Sequence, residues 1–148
     1  MLPSAKQFPE LHQLQQLMDQ YPSQANYQLL NHIHVKNFDL PIWAISLGSD
    51  NPKHPVIGFF GGVHGMERIG SQVLIAWLQN LLSRLTWDIS LQQLLQQVKI
   101  VCIPLLNVGG LLNNTRSNAN GVGVQHRCVR HRTFTRAIGD GHHATRCH

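Results

Sequence analysis

Cysteine, acidic residues and long apolar runs are all scarce in this sequence of 148 residues, which has three cysteines and seven aspartates and glutamates. An odd cysteine count without a secretory leader argues against a disulfide framework. Cys102 lies in an apolar strand pattern, where a buried reduced thiol is expected. The apolar stretches are too short and too interrupted to span a bilayer, and the N-terminus is polar and rich in glutamine. We therefore expect a cytoplasmic protein with no membrane partner.

The formal net charge of +5 is unevenly distributed along the chain. Residues 1–122 contain seven Lys/Arg and six Asp/Glu, whereas residues 123–148 contain five Arg and one Asp. A basic excess confined to one end does not indicate a nucleic-acid-binding domain, so we expect no specific nucleic-acid partner. A hydrophobic content of 43% in a chain of this length suits one globular domain.

The most informative stretch runs from a strand through a glycine turn to a helix. Residues 56–60 are an apolar run that predicts a strand covered on both faces, and Gly61 and Gly62 then allow a sharp turn. Apolar residues from Ile69 onward recur at helical spacing and predict an amphipathic helix with one apolar face. That predicted face comprises Ile69, Val73, Ala76, Trp77, Leu81 and Leu85.

His64 and Glu67 lie between this strand and this helix, three residues apart. If Glu67 opens the helix, both side chains can point to one side and converge on one ion. An imidazole nitrogen and a carboxylate oxygen are good zinc donors, and a catalytic zinc site takes a third protein ligand from elsewhere. The alternative is an ordinary turn histidine followed by a first-turn acid that the helix dipole favours.

The remaining periodicity predicts an α/β fold with a mixed, largely parallel sheet and flanking helices. The predicted helices cover residues 4–20 and 88–97, and the predicted strands cover residues 27–38, 40–47 and 98–106. Residues 37–39 are the predicted hairpin turn, and His32 and His34 are expected on the exposed face of their strand. Since ligands collect at the carboxyl ends of parallel strands, His64 and Asn107 should meet at one rim of the sheet.

Three ordered motifs carry a resemblance to a known family. They are Gly-Gly-Val-His-Gly-Met-Glu at residues 61–67, Ile-Pro-Leu-Leu-Asn-Val-Gly-Gly at 103–110 and Arg-Ser-Asn-Ala-Asn-Gly-Val at 116–122. Together they resemble the zinc carboxypeptidase family and, more distantly, the succinylglutamate desuccinylase and aspartoacylase group. The resemblance covers residues 26–122, which look like the N-terminal half of the family's catalytic domain.

This resemblance implies a metallocarboxypeptidase in which His64 and Glu67 bind Zn²⁺ and Arg116 stabilises the oxyanion during hydrolysis of C-terminal peptide bonds. The substrate would then be a peptide, or an N-acyl amino acid if the chain is an amidohydrolase of the desuccinylase type. The family's third zinc ligand and general base come later in the chain, yet no glutamate follows Glu67. A catalytically inactive fragment or binding module is therefore the remaining alternative, and Arg116 is then a loop arginine that pairs with an acid or solvent.

The sequence divides into an N-terminal helical segment at 1–25, a carboxypeptidase-like part at 26–122 and a basic His/Cys-rich tail at 123–148. The family pattern stops in mid-motif after Val122, which predicts a frameshifted or broken gene, a disordered tail and an incomplete sheet. Two other readings of the tail are a basic arm that binds nucleic acid with Phe134 as its one aromatic residue, and a small zinc knuckle. The knuckle ligands would be Cys128, His131, His143 and Cys147.

Overall fold

The structure, a computed structural model, describes residues 1–122. In chain order the elements are α1 (Pro9–Gln20), β1 (Asn26–Val35), β2 (Phe38–Gly48), β3 (Val56–Phe60), α2 (Ile69–Arg84), α3 (Ile89–Leu95), β4 (Lys99–Ile103) and α4 (Val108–Asn113). The predictions for the tail, including the knuckle and the arm, lie outside the described residues.

The four strands form one sheet in the order β1-β2-β4-β3. β1 pairs antiparallel with β2, β2 pairs antiparallel with β4, and β3 pairs parallel with β4. The predicted mixed α/β fold with flanking helices is confirmed. The predicted predominance of parallel pairing is wrong for residues 1–122, because the β1–β2 hairpin adds two antiparallel pairings to the single parallel crossover between β3 and β4.

The β1–β2 hairpin turns through two residues, Lys36 and Asn37, since Val35 pairs directly with Phe38. Lys36 adopts a left-handed conformation with φ of 54°, which a tight hairpin connection of this kind requires. The turn therefore precedes the predicted residues 37–39 by one position. His32 and His34 lie on one exposed face, as predicted, and their Nδ1 atoms are 3.1 and 3.9 Å from the Asp39 carboxylate.

Buried apolar side chains from α1, α2, β2, β4 and α4 form one core cluster. Full burial of a Leu, Ile or Phe side chain contributes about 1.5–3 kcal/mol, so this cluster is the main source of stability. Its large, fully buried apolar members include Phe8, Leu14, Leu40, Ile45, Leu78, Leu82, Leu105 and Leu111. No helix within residues 1–122 is long and apolar enough to cross a membrane.

Strand β3 and part of the apolar face of α2 form one exposed apolar surface. β3 lies at the sheet edge with only β4 beside it, and its five residues are all exposed, so the prediction of a strand covered on both faces is wrong. Helix α2 forms as predicted, and part of its apolar face is exposed, since Ile69 and Val73 are 67% and 59% exposed. Phe59 and Trp77 pack on each other across this surface, with ring centroids 5.0 Å apart.

Candidate metal centre

His64 and Glu67 lie in the tight turn that leaves β3. Gly62 begins the turn with φ of +62°, a conformation that favours glycine. The Glu67 backbone N–H then donates to the His64 carbonyl at 3.0 Å and closes the turn. His64 is 7% exposed, whereas Glu67 is exposed. The two predicted ligands are therefore held in one short, hydrogen-bonded loop.

Glu67 precedes helix α2 rather than opening it. The helix begins at Ile69, Arg68 is its N-cap, and the first turn contains no acidic residue. The Glu67 carboxylate makes no hydrogen bond or ion pair with any other residue from 1 to 122. The alternative of a first-turn acid that stabilises the helix is thus not what the structure contains.

The first two sequence motifs meet at the carboxyl ends of β3 and β4. The Leu106 N–H donates to the Gly61 carbonyl at 3.0 Å, and the Asn107 N–H donates to the Gly62 carbonyl at 2.9 Å. The parallel pairing of β3 with β4 therefore continues past both strands into the loops. This arrangement confirms that His64 and Asn107 lie at one rim of the sheet.

Asn107 also joins the third motif to this rim. Its buried side-chain amide donates to the Val63 carbonyl at 3.2 Å and to the Ser117 carbonyl at 3.3 Å. Its side-chain oxygen accepts from the Gly110 N–H at 3.0 Å, which caps α4. One amide thus links the residue before His64 to the residue after Arg116.

The turn packs against α4 without space for a side chain at Gly65. A Cβ atom at this position would overlap the Gly110 carbonyl group and approach the Leu111 nitrogen to 2.5 Å. Since these neighbours are backbone atoms, they cannot rotate away as a side chain does. The glycine at position 65 therefore fixes how closely the His64 turn approaches α4.

Arg116 is exposed, and its guanidinium makes no hydrogen bond or ion pair within the described part of the chain. The alternative in which it pairs with a neighbouring acid is not observed there. Hydrogen bonds nevertheless fix the backbone next to Arg116. The adjacent Ser117 carbonyl accepts from the Asn107 side-chain amide and from the Thr115 hydroxyl, the latter at 3.2 Å.

Sequence reasoning missed an ion pair beside the turn, in which the carboxylate is buried and the guanidinium is partly buried. The Glu10 side chain is 1% exposed, and its Oε2 accepts from Arg68 Nη1 at 2.7 Å. Its Oε1 accepts from Gln72 Nε2 at 3.0 Å. The partners are separated by 58 positions in sequence, so no local spacing could have indicated the pair.

The donor chemistry of the turn fits zinc in part. One imidazole and one carboxylate are suitable ligands, whereas a catalytic zinc site characteristically takes three protein ligands. No group of three His, Cys, Asp or Glu side chains that could hold a metal ion occurs among residues 1–122. A third ligand would have to come from outside this range.

A sequence profile of the zinc carboxypeptidase family matches residues 11–132, more than half of the chain. The chain belongs to the zinc carboxypeptidase family. The matched region contains all three motifs that meet at the rim, and it extends the resemblance from residue 26 back into α1. Membership of a zinc carboxypeptidase family implies Zn²⁺ as the metal.

The chain is also similar to individual carboxypeptidases over part of their length. Carboxypeptidase SOL1 of Arabidopsis thaliana is 30% identical over 86 residues, which cover 55% of this chain and 17% of that protein. A metallo-carboxypeptidase structure from Burkholderia cenocepacia has a TM-score of 0.56 and 22% identity, covering 78% of this chain and 30% of the other. The structure of thrombin activatable fibrinolysis inhibitor has a TM-score of 0.53 and 16% identity, and the match covers 71% of this chain and 27% of the other. The chain thus spans less than a third of each relative, and the two structures establish likeness of fold.

Proposed function

We propose that this chain forms the N-terminal part of a metallocarboxypeptidase metal centre, with Zn²⁺ bound by His64, Glu67 and a ligand from outside residues 1–122. The reaction is hydrolysis of a C-terminal peptide bond. The observation that carries this proposal is the convergence of three family motifs on one rim through Asn107. Because the relatives are at least three times longer than the matched part, catalysis by this chain is itself part of the proposal.

His64 and Glu67 would hold the zinc ion, which would supply an acidified water and a positive charge that polarises the scissile carbonyl. The planar Arg116 guanidinium donates hydrogen bonds and can stabilise a developing oxyanion without a proton transfer. The freedom of this guanidinium from other partners within residues 1–122 supports that role.

A general base is also required, and Asp88 is not suited to it. Asp88 is the only acidic residue between Glu67 and the end of the described part. Its carboxylate accepts from Arg84 at 2.6 Å and from the Leu91 N–H at 3.1 Å, and these bonds hold its pKa below the ordinary value. We therefore assign the base, like the third ligand, to residues outside 1–122.

Hydrolysis of N-acylated dipeptides by the zinc-loaded full chain tests this function, with the released C-terminal amino acid measured by chromatography. His64→Ala should abolish release, and Arg116→Gln should lower kcat by about 10²–10³ because one oxyanion donor is lost. Equal rates in wild type and His64→Ala would contradict the proposal. Release from N-acyl amino acids but not from peptides would favour the amidohydrolase alternative, and zinc binding without any turnover would favour a binding module.

A further inference from the structure

We propose that the ion pair between buried Glu10 and partly buried Arg68 is a positioning device that fixes the turn carrying His64 and Glu67. Arg68 follows Glu67 directly and is the N-cap residue of α2. Contacts that restrain the Arg68 side chain therefore also restrain the backbone at one end of the turn. This inference rests on the proposed function for its consequence, namely metal affinity, but its structural content can be tested separately.

Both carboxylate oxygens of Glu10 accept hydrogen bonds in this contact. Glu10 lies in the first turn of α1 and is 1% exposed, and both of its oxygens accept a hydrogen bond from α2 or its N-cap. Burial of a carboxylate costs on the order of several kcal/mol of hydration free energy, and only good geometry and full hydrogen bonding offset that cost. The pair is accordingly held in a defined geometry rather than a mobile one.

The other terminal nitrogen of the Arg68 guanidinium contacts α4. Its Nη2 donates to the Leu111 carbonyl at 2.6 Å, while its guanidinium carbon lies 6.0 Å from the Phe8 ring centroid. Leu111 follows Gly110, against which Gly65 packs. The turn is thus attached to the α4 segment at three successive points: Val63 through Asn107, Gly65 by close contact, and Arg68 through Leu111.

A planar guanidinium is suited to this task because it donates along two fixed directions at once, toward α1 and toward α4. A lysine ammonium keeps the charge but is a point donor on a flexible stem, so it cannot reproduce both bonds with the same geometry. Buried ion pairs are on average weak contributors to net stability compared with apolar replacements. The ion pair therefore fixes the orientation of the turn rather than adding net stability.

The experiment compares Arg68→Lys with Arg84→Lys in the full-length protein. Arg84 is a matched control because it forms a 2.6 Å ion pair with Asp88 at the opposite end of α2. The first readout is Co²⁺ affinity measured by visible absorption in competition with a chelator. Loss of a partner that orients a metal ligand typically weakens affinity by about 10–100-fold, and we expect that loss in Arg68→Lys and no change in Arg84→Lys.

The second readout is amide exchange of metal-free protein by NMR. The Glu67 N–H donates to the His64 carbonyl, so its protection reports the closed turn. We expect Arg68→Lys to accelerate exchange at Glu67 relative to Cys102 in β4, whereas a purely structural role would accelerate both alike. Arg84→Lys should leave this ratio unchanged.

Glu10→Gln provides a milder second variant should Arg68→Lys fail to fold, because the amide keeps a hydrogen-bond acceptor but removes the charge. It should shift both readouts in the same direction by a smaller amount. Unchanged Co²⁺ affinity and an unchanged exchange ratio in the folded variants would overturn the positioning role. Failure of the wild type to bind Co²⁺ would instead overturn the proposed function, and the exchange ratio would still decide the positioning role.

Discussion

Replacement of Gly65 by alanine should destabilise the protein because the turn has no room for a methyl group. The added Cβ would overlap the Gly110 carbonyl and lie 2.5 Å from the Leu111 nitrogen. Overpacking of this kind costs about 1–3 kcal/mol, and we expect the upper end because only backbone atoms can move. For a chain of this size, about 3 kcal/mol corresponds to a decrease in Tm of roughly 6–12 °C.

Gly70→Ala is the matched control, since a Cβ at Gly70 meets no atom within 4 Å and the residue lies in helix α2. Alanine is favoured over glycine in a helix by up to about 1 kcal/mol, so this variant should be as stable as the wild type or more stable. Thermal and urea unfolding followed by circular dichroism measure both changes. A Gly65→Ala variant as stable as the wild type, or an equal loss in both variants, would refute the tight packing of the turn on α4.

Three further predictions concern the fold around the site. Burial raises the pKa of the Cys102 thiol to about 12, so iodoacetamide at pH 8 should leave Cys102 unmodified in folded protein and modify it in urea, as peptide mass spectrometry would show; rapid labelling without urea would contradict its burial. The Arg84 and Leu91 hydrogen bonds lower the pKa of Asp88 from 3.8, so their stabilisation is complete above that value and is lost as the pH falls through the folded-state pKa. The Tm difference between wild type and Asp88→Asn should therefore be larger at pH 7 than at pH 2, and a pH-independent difference would disprove this linkage. Leu78→Ala should lower the free energy of unfolding by about 2–5 kcal/mol because the side chain is fully buried, and a loss well under 1 kcal/mol in urea titrations would place it outside the core.

The rim of the site could be predicted from sequence because its determinants are local. A glycine turn after an apolar strand places His64 beyond the strand end, and the second strand places Asn107 beside it. Parallel pairing of β3 with β4 then brings His64 and Asn107 together, however the helices pack on the sheet. The hydrogen bonds from Leu106 and Asn107 to Gly61 and Gly62 are the direct consequence.

The errors came from features that depend on distant partners. An apolar run such as Val56–Phe60 indicates a strand but does not say how many of its faces and edges are covered within the same stretch of chain. The helical spacing of Ile69 and Val73 indicates the helix α2 but not which of its apolar residues are buried, and Leu74 and Leu78 are the ones in the core. The Glu10–Arg68 pair has no sequence signal at all, since it joins α1 to the site across an intervening hairpin and strand.

The zinc content of the purified full chain, measured by elemental analysis, shows whether the His64 turn binds metal. Wild type and His64→Ala should be compared with His54→Ala, because His54 is a loop histidine whose ring contacts Ser49 and Asn51 away from the rim. We expect stoichiometric zinc in wild type and His54→Ala and its loss in His64→Ala. Absence of zinc from the wild type, or its retention in His64→Ala, would contradict the assignment of this turn as a metal centre.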